Sequence, residues 1–153
     1  MTTTGEGGGT RTEILLVEDS PGDVRLTREA FRDAKTPINL SVASDGVEAM
    51  AFLRREGAHV GAPRPDFILL DLNLPRMDGR EVLGQIKKDD DLKSIPTIIL
   101  TTSSAEADIV RSYQLQANAY LTKAPQLDEF ESLVLSISDF WVTKVKLPQR
   151  RRG

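Results

Sequence analysis

Reactive side chains stand where four short apolar runs stop. Glu18-Asp19 follows Ile14 to Val17, Asp71 follows Phe67 to Leu70, Thr101 follows Ile95 to Leu100, and Lys123 comes just after Ala119 to Leu121. Carboxylates directly behind apolar runs are costly to place near a core unless they are paired or bind metal. Glu18 and Asp19 could instead act as a helix cap and its neighbour; Asp71 fits that role less well. The chain has no cysteine and a single histidine, His59, so a converging site would offer oxygen ligands only. Three carboxylates make a hard-oxygen cation site, and Mg²⁺ suits one that keeps several waters and also binds a phosphate. A nearby lysine would complete a phosphoryl cradle, because phosphoryl transfer needs positioning and electrostatic stabilisation more than covalent machinery. A carboxylate nucleophile then gives an aspartyl phosphate.

The elements that must position these groups are readable from periodicity. With 153 residues and 39% apolar content, the chain can bury one core and is too short for two ordinary domains. Ile14 to Val17, Ile38 to Ala43, Phe67 to Leu70, Ile95 to Leu100 and Ala119 to Leu121 read as five strands. Most of these runs are continuously apolar, which predicts strands covered on both faces: a doubly wound α/β parallel sheet. In such sheets ligands sit outside the carboxyl ends of the strands, where the reactive groups stand. The intervening helices start at Ser20-Pro21, Asp45 before Glu48, Asp78 before Glu81, and Ser103 before Glu106, each with a cap acceptor. A last helix from about Gln126 carries a stripe of Leu127, Phe130, Val134, Ile137 and Trp141, widened by Leu133 and Phe140. Glu56 to Pro65 reads as a loop in which His59 is exposed, and Lys87 to Asp91 as a solvated helix end.

Residues 1–11, rich in Thr and Gly, are expected to be disordered, residues 12–147 to form the domain, and residues 148–153 to be a basic tail. A formal charge of −3 argues against broad attraction to nucleic acid despite Arg150, Arg151 and Arg152. No stretch approaches the roughly 20 apolar residues that cross a bilayer, and MTTTGEGGGT lacks a signal-peptide core. A cytoplasmic protein without membrane contact is expected.

ILLVEDS, FILLDLNLPRMDG, the run IIL with TTS after it, and AYLTK, in this order between Thr12 and Trp141, resemble the motifs of response-regulator receiver domains of two-component signalling. VEDSPGDVRLTREAF, DLNLPRMDGREVL and the late Phe140-Trp141 are most similar to stand-alone regulators paired with bacterial phytochrome kinases. The resemblance implies a flavodoxin-like (βα)₅ fold with strand order 2-1-3-4-5. It implies that Asp71 accepts a phosphoryl group from a sensor histidine kinase, that Asp19, Asp71 and the backbone carbonyl of Asn73 ligate Mg²⁺, and that Glu18 acts through water. Lys123 would pair with the phosphoryl oxygens and Thr101 would hydrogen-bond them, while Tyr120 would turn inward behind Thr101 when the phosphoryl arrives. Such a protein is a phosphoacceptor that assists its own phosphorylation and dephosphorylation rather than a turnover enzyme.

Two positions depart from the family pattern. Lys123 is followed by Ala124 where proline is usual, which predicts a trans peptide, since a cis bond before a non-proline costs about 2.5–4 kcal/mol. Thr102 replaces a small residue and is expected to hinder attacking water and slow phosphate loss. Two other functions fit less well. A phosphatase with an aspartate nucleophile needs a further acid two residues on, where Asn73 stands, and a nucleotide-binding loop at Gly5 to Thr10 lacks the Gly-Lys-Ser/Thr ending. Nothing after Trp141 is long enough for an output domain, so the output is expected to be an unidentified partner protein. The wide stripe of the last helix, continued by Val142, Val145 and Leu147, predicts a homodimer through this region.

Overall fold

The computed structural model describes residues 11–148, together with Thr3–Thr4 and Glu6–Gly7, which pair as a short antiparallel ladder. Most of the segment expected to be disordered, and all but Pro148 of the basic tail, lie outside the described residues. The sheet strands are β1 (Thr12–Val17), β2 (Ile38–Ala43), β3 (Phe67–Leu70), β4 (Thr97–Thr101) and β5 (Ala119–Thr122). All neighbours are parallel, in the order β2-β1-β3-β4-β5, as expected. The helices are α1 (Pro21–Asp33), α2 (Gly46–Arg54), α3 (Gly79–Lys88), α4 (Glu106–Gln114) and α5 (Leu127–Ile137).

Alternation along the strands divides the apolar side chains between two cores. Leu15, Val17, Ile68, Leu70 and Ile99 point toward α2 and α3, where Met50, Leu53, Val82 and Ile86 cover them. Ile14, Leu16, Phe67, Leu69 and Ile98 point the other way, toward Ala30 and Phe31 of α1 and Phe130, Val134 and Ile137 of α5. Burial on both faces explains why the strands read as unbroken apolar runs. No helix among the described residues is long and apolar enough to cross a membrane.

Several expectations change in detail. Strand β4 begins at Thr97 rather than Ile95, because Pro96 has no N–H to give a ladder. Ser20 and Asp45 cap α1 and α2 as expected, accepting from the N–H groups of Asp23 and Glu48. Ser103 does not cap α4: that helix starts after Ala105, and the Ser103 hydroxyl donates to Asp108 instead. His59 is half-buried rather than exposed, its ring tilted on Phe52 with centroids 5.6 Å apart. Lys87 leaves its charge run, the ammonium donating to the carbonyls of Lys93 and Ile95 and to Asn118 Oδ1 at 3.0–3.1 Å. Burial pushes that ammonium below the usual lysine range.

The final stripe is only partly buried. Phe130, Val134 and Ile137 enter the core, but Leu127 is 63% and Phe140 54% exposed. After Ile137 the backbone widens into a π-helical turn, Ser138–Lys144, in which the Val145 N–H donates to the Phe140 carbonyl at 2.8 Å. A wider turn rotates each following side chain around the axis relative to an α-helix. Trp141 packs on Phe67 as the stripe predicts, ring centroids 6.2 Å apart, while Phe140 faces outward.

Candidate phosphoryl and metal site

Parallel register brings the strand ends together. Val17 lies between Ala43 and Leu70, so Glu18 and Asp71 leave adjacent strands side by side; Thr101 pairs with Thr122, one residue before Lys123. The Asp71 N–H donates to the Val17 carbonyl at 3.1 Å and the Lys123 N–H to the Thr101 carbonyl at 2.7 Å, which continues the sheet pairing into the site.

Glu18, Asp71 and Lys123 are all buried, with 4%, 7% and 7% exposure, while Asp19 is exposed at the mouth. Lys123 Nζ is shared by three acids: it donates to Glu18 Oε1 and reaches Asp23 Oδ2 at 2.9 Å and Asp71 Oδ2 at 3.1 Å. Burial works against the Lys123 charge, but hydrogen bonds to Glu18 and Asp23 and the attraction of Glu18 and Asp71 outweigh it and hold the ammonium above the ordinary lysine range. For Glu18 burial wins, keeping its carboxyl above the usual range against the pull of Lys123. The remaining Glu18 oxygen accepts from the Ser20 N–H at 3.1 Å, and Asp71 Oδ1 accepts from the Asn73 N–H at 3.3 Å.

The donor set fits a divalent cation. Glu18, Asp19 and Asp71 each present a carboxylate oxygen, all within 4.8 Å of one another. Four acids, counting Asp23, face one lysine, leaving an excess of negative charge that a divalent ion would offset. Thr101 is fully buried and its Oγ1 accepts weakly from the Ser103 N–H at 3.5 Å, while Thr102 beside it is exposed. Tyr120 is already turned inward: half-buried against the first core, its hydroxyl donates to the Ser103 carbonyl at 2.9 Å. Burial raises its hydroxyl pKa, opposed by that hydrogen bond. Every peptide bond among the described residues is trans, Lys123–Ala124 included.

Five of the expected side chains, Glu18, Asp19, Asp71, Thr101 and Lys123, thus lie at the carboxyl end of the sheet, with Asn73 exposed on the loop after β3, while Tyr120 lies further back on β5, opposite Ile99, and reaches the site region through Ser103. Two contributors escaped the sequence reading. Asp23 looks like an ordinary first-turn acid favoured by the helix dipole, and only the fold shows it on Lys123. Gly79 reads as a helix start, yet it carries the close approach between α3 and the backbone of Asp71: a Cβ there would lie 2.1 Å from the Asp71 carbonyl oxygen.

Known proteins share this fold. The family model described as the response regulator receiver domain matches residues 14–135. Response regulator Rcp1 of Synechocystis sp. is 49% identical over 135 residues, covering 88% of this chain and 92% of that protein. The crystal structure of the phosphorylated cyanobacterial phytochrome response regulator RcpA superposes with a TM-score of 0.89 at 47% identity, covering 92% of this chain and 100% of the other. The Mn²⁺-bound form of Rcp1 gives 0.87 at 48%, covering 90% and 99%. The sheet order, the acid cluster at its carboxyl end and these likenesses lead to one conclusion: the chain belongs to the response regulator receiver family.

Proposed function

We propose that this protein is a phosphorylation switch in which Asp71 takes a phosphoryl group from a sensor histidine kinase of the bacterial phytochrome class. The observation that carries this reading is the placement of Asp71 at the end of the central strand β3, between Lys123 on one carboxylate oxygen and the Asn73 amide on the other. An oxygen of Asp71 attacks phosphorus, the bond from phosphorus to the donor nitrogen breaks, and its electron pair leaves on the imidazole. Lys123 would exchange a carboxylate partner for a phosphoryl oxygen, and the Thr101 hydroxyl would donate to another. Glu18, Asp19 and Asp71 would hold Mg²⁺, with the Asn73 carbonyl as a further ligand, Glu18 acting through water. The ion supplies positive charge that neutralises the transferring oxygens.

Tyr120, whose hydroxyl donates to the Ser103 carbonyl, would sense the state of Thr101 through that loop and carry it to the surface around α4. Output is then a change in shape read by a partner protein in the cytoplasm. The test is incubation with a small phosphodonor and Mg²⁺, followed by intact mass. The wild type should gain one phosphoryl group and Asp71→Asn none; an equal gain in both removes Asp71 as the acceptor.

The exposed Leu127, Leu135 and Phe140 support a homodimer through the C-terminal helix region, since large apolar side chains left uncovered on one segment often mark an interface. Light scattering at micromolar concentration should give twice the chain mass. A monomer both with and without a phosphoryl mimic rules the dimer out.

A further inference from the structure

Ser103 sits between the two switch residues, and its own position is set from outside the site. Its hydroxyl donates to Asp108 Oδ2 at 2.6 Å, and Asp108 Oδ1 accepts from Arg80 Nη2 at 2.7 Å and Nε at 3.2 Å. Arg80, the second residue of α3, is braced from its other side by Asp78, 3.0 Å from Nη1. The side chains of Arg80 and Asp108 are 29% and 24% exposed, so the pair is set into the surface rather than waving above it. The Ser103 hydroxyl and the Arg80 guanidinium together keep the Asp108 carboxyl below the usual range, so it is charged at neutral pH.

Two further observations give this chain of contacts mechanical weight. Helix α4 is weakly anchored by apolar packing: Ser112 is its one buried residue, and the Ser112 hydroxyl is the only fully buried side-chain polar atom without a hydrogen-bond partner among the described residues. Polar contacts at its first turn therefore carry much of its attachment. At the other end, α3 is locked to the acceptor strand, because Gly79 packs on the carbonyl of Asp71 and its N–H donates to the Leu72 carbonyl at 2.8 Å.

We propose that Arg80 and Asp108 are positioning residues for the switch: their ion pair, closed by the Ser103 hydroxyl, ties the β4–α4 loop to the start of α3 and so holds the Ser103 carbonyl where the Tyr120 hydroxyl reaches it. The proposal rests on reading Thr101 and Tyr120 as the pair that senses the phosphoryl group. Its chemistry favours arginine, which offers two nitrogens in one plane to a single carboxylate, over lysine.

The test uses the full chain in two steps. Amide hydrogen exchange is first followed in the unphosphorylated protein for wild type, Arg80→Gln, Asp108→Asn and the double variant. Exchange at Ser103 and Ala105 should rise roughly fivefold or more in either single variant, within the range of couplings between linked sites. The double variant should match the worse single one, because both remove one contact, and amides of β1 and β3 should stay protected. Unchanged exchange at Ser103 and Ala105 in both single variants, or additive effects in the double, overturns the proposal. Beryllofluoride with Mg²⁺ then serves as phosphoryl mimic: its apparent affinity should fall by a similar factor in Arg80→Gln and be partly restored in Arg80→Lys. An unaltered affinity overturns the link to the switch. A wild type that shows the exchange pattern but binds no beryllofluoride leaves the positioning contact intact and counts against the phosphoacceptor reading instead.

Discussion

Alanine in place of Gly79 is expected to lower stability by about 3 kcal/mol, the upper end of what overpacking costs. The added Cβ would stand 2.1 Å from the Asp71 carbonyl oxygen and 2.6 Å from the Leu72 Cα, and both are backbone atoms of the loop that carries the acceptor. No side-chain rotation relieves such a contact; either α3 shifts or Asp71 does. For a chain of this size that loss corresponds to a melting temperature lower by roughly 6–12 °C, and phosphoryl uptake should fall with it because the displaced carbonyl belongs to the acceptor. Gly84→Ala on the same helix is the control. Its nearest neighbour is Leu115 Cδ2 at 3.8 Å, so helix propensity should make alanine neutral or stabilising by up to about 1 kcal/mol. Urea midpoints of the two variants decide the matter, and a wild-type midpoint for Gly79→Ala would show that α3 can move away at little cost.

Lys123→Met should have an effect of similar size with a different signature. It removes the one cation shared by Glu18, Asp23 and Asp71, two of them buried. Breaking a buried ion pair from one side costs about 3–5 kcal/mol because the remaining charge is left uncompensated. The loss should shrink when millimolar Mg²⁺ or Mn²⁺ is added, since an ion among Glu18, Asp19 and Asp71 restores positive charge. It should also shrink on acidification. The Glu18 carboxyl titrates above its ordinary 4.5 in the folded protein, so its contribution to stability is complete below that value and is lost as pH rises through the raised one. Without Lys123 that rise is larger, and the variant should be weakest at neutral pH. Thermal melts over a pH series, with and without metal, read both effects; a deficit indifferent to metal and pH would mean that Lys123 acts through packing alone.

These two residues also mark how far the site could be read in advance. Lys123 stood out because it breaks an apolar run at a strand end, and the same rule found Glu18, Asp19, Asp71 and Thr101. Asp23 and Arg80 escaped it. Each sits in the first turn of a helix, where charged residues are common, and each acts on a group that lies 100 or 28 positions away. Gly79 escaped for the opposite reason: its contribution is the absence of an atom, visible only once the Asp71 carbonyl is seen beside it. At the C-terminus, local pattern misled in part. A regular 3.6-residue period placed Phe130, Val134, Ile137 and Trp141 on the buried stripe, and they pack there, but it also put Leu127 on the stripe and Phe140 beside it, and both are exposed.

What the amino-acid order determines by itself is the number and order of the strands, the residues at which the first three stop, and that no thiolate is available for a metal. Those follow from periodicity and residue type, which act over a few neighbours along the chain. What only the tertiary structure decides is the company each charge keeps. Lys123 is shared among three acids, Ser103 is held by Asp108 and Arg80, and Tyr120 is already turned inward. The reason is physical: charge pairing and close backbone approach fall off within a few ångströms of space, so they depend on the parallel register that sets five strand ends side by side and not on separation along the chain.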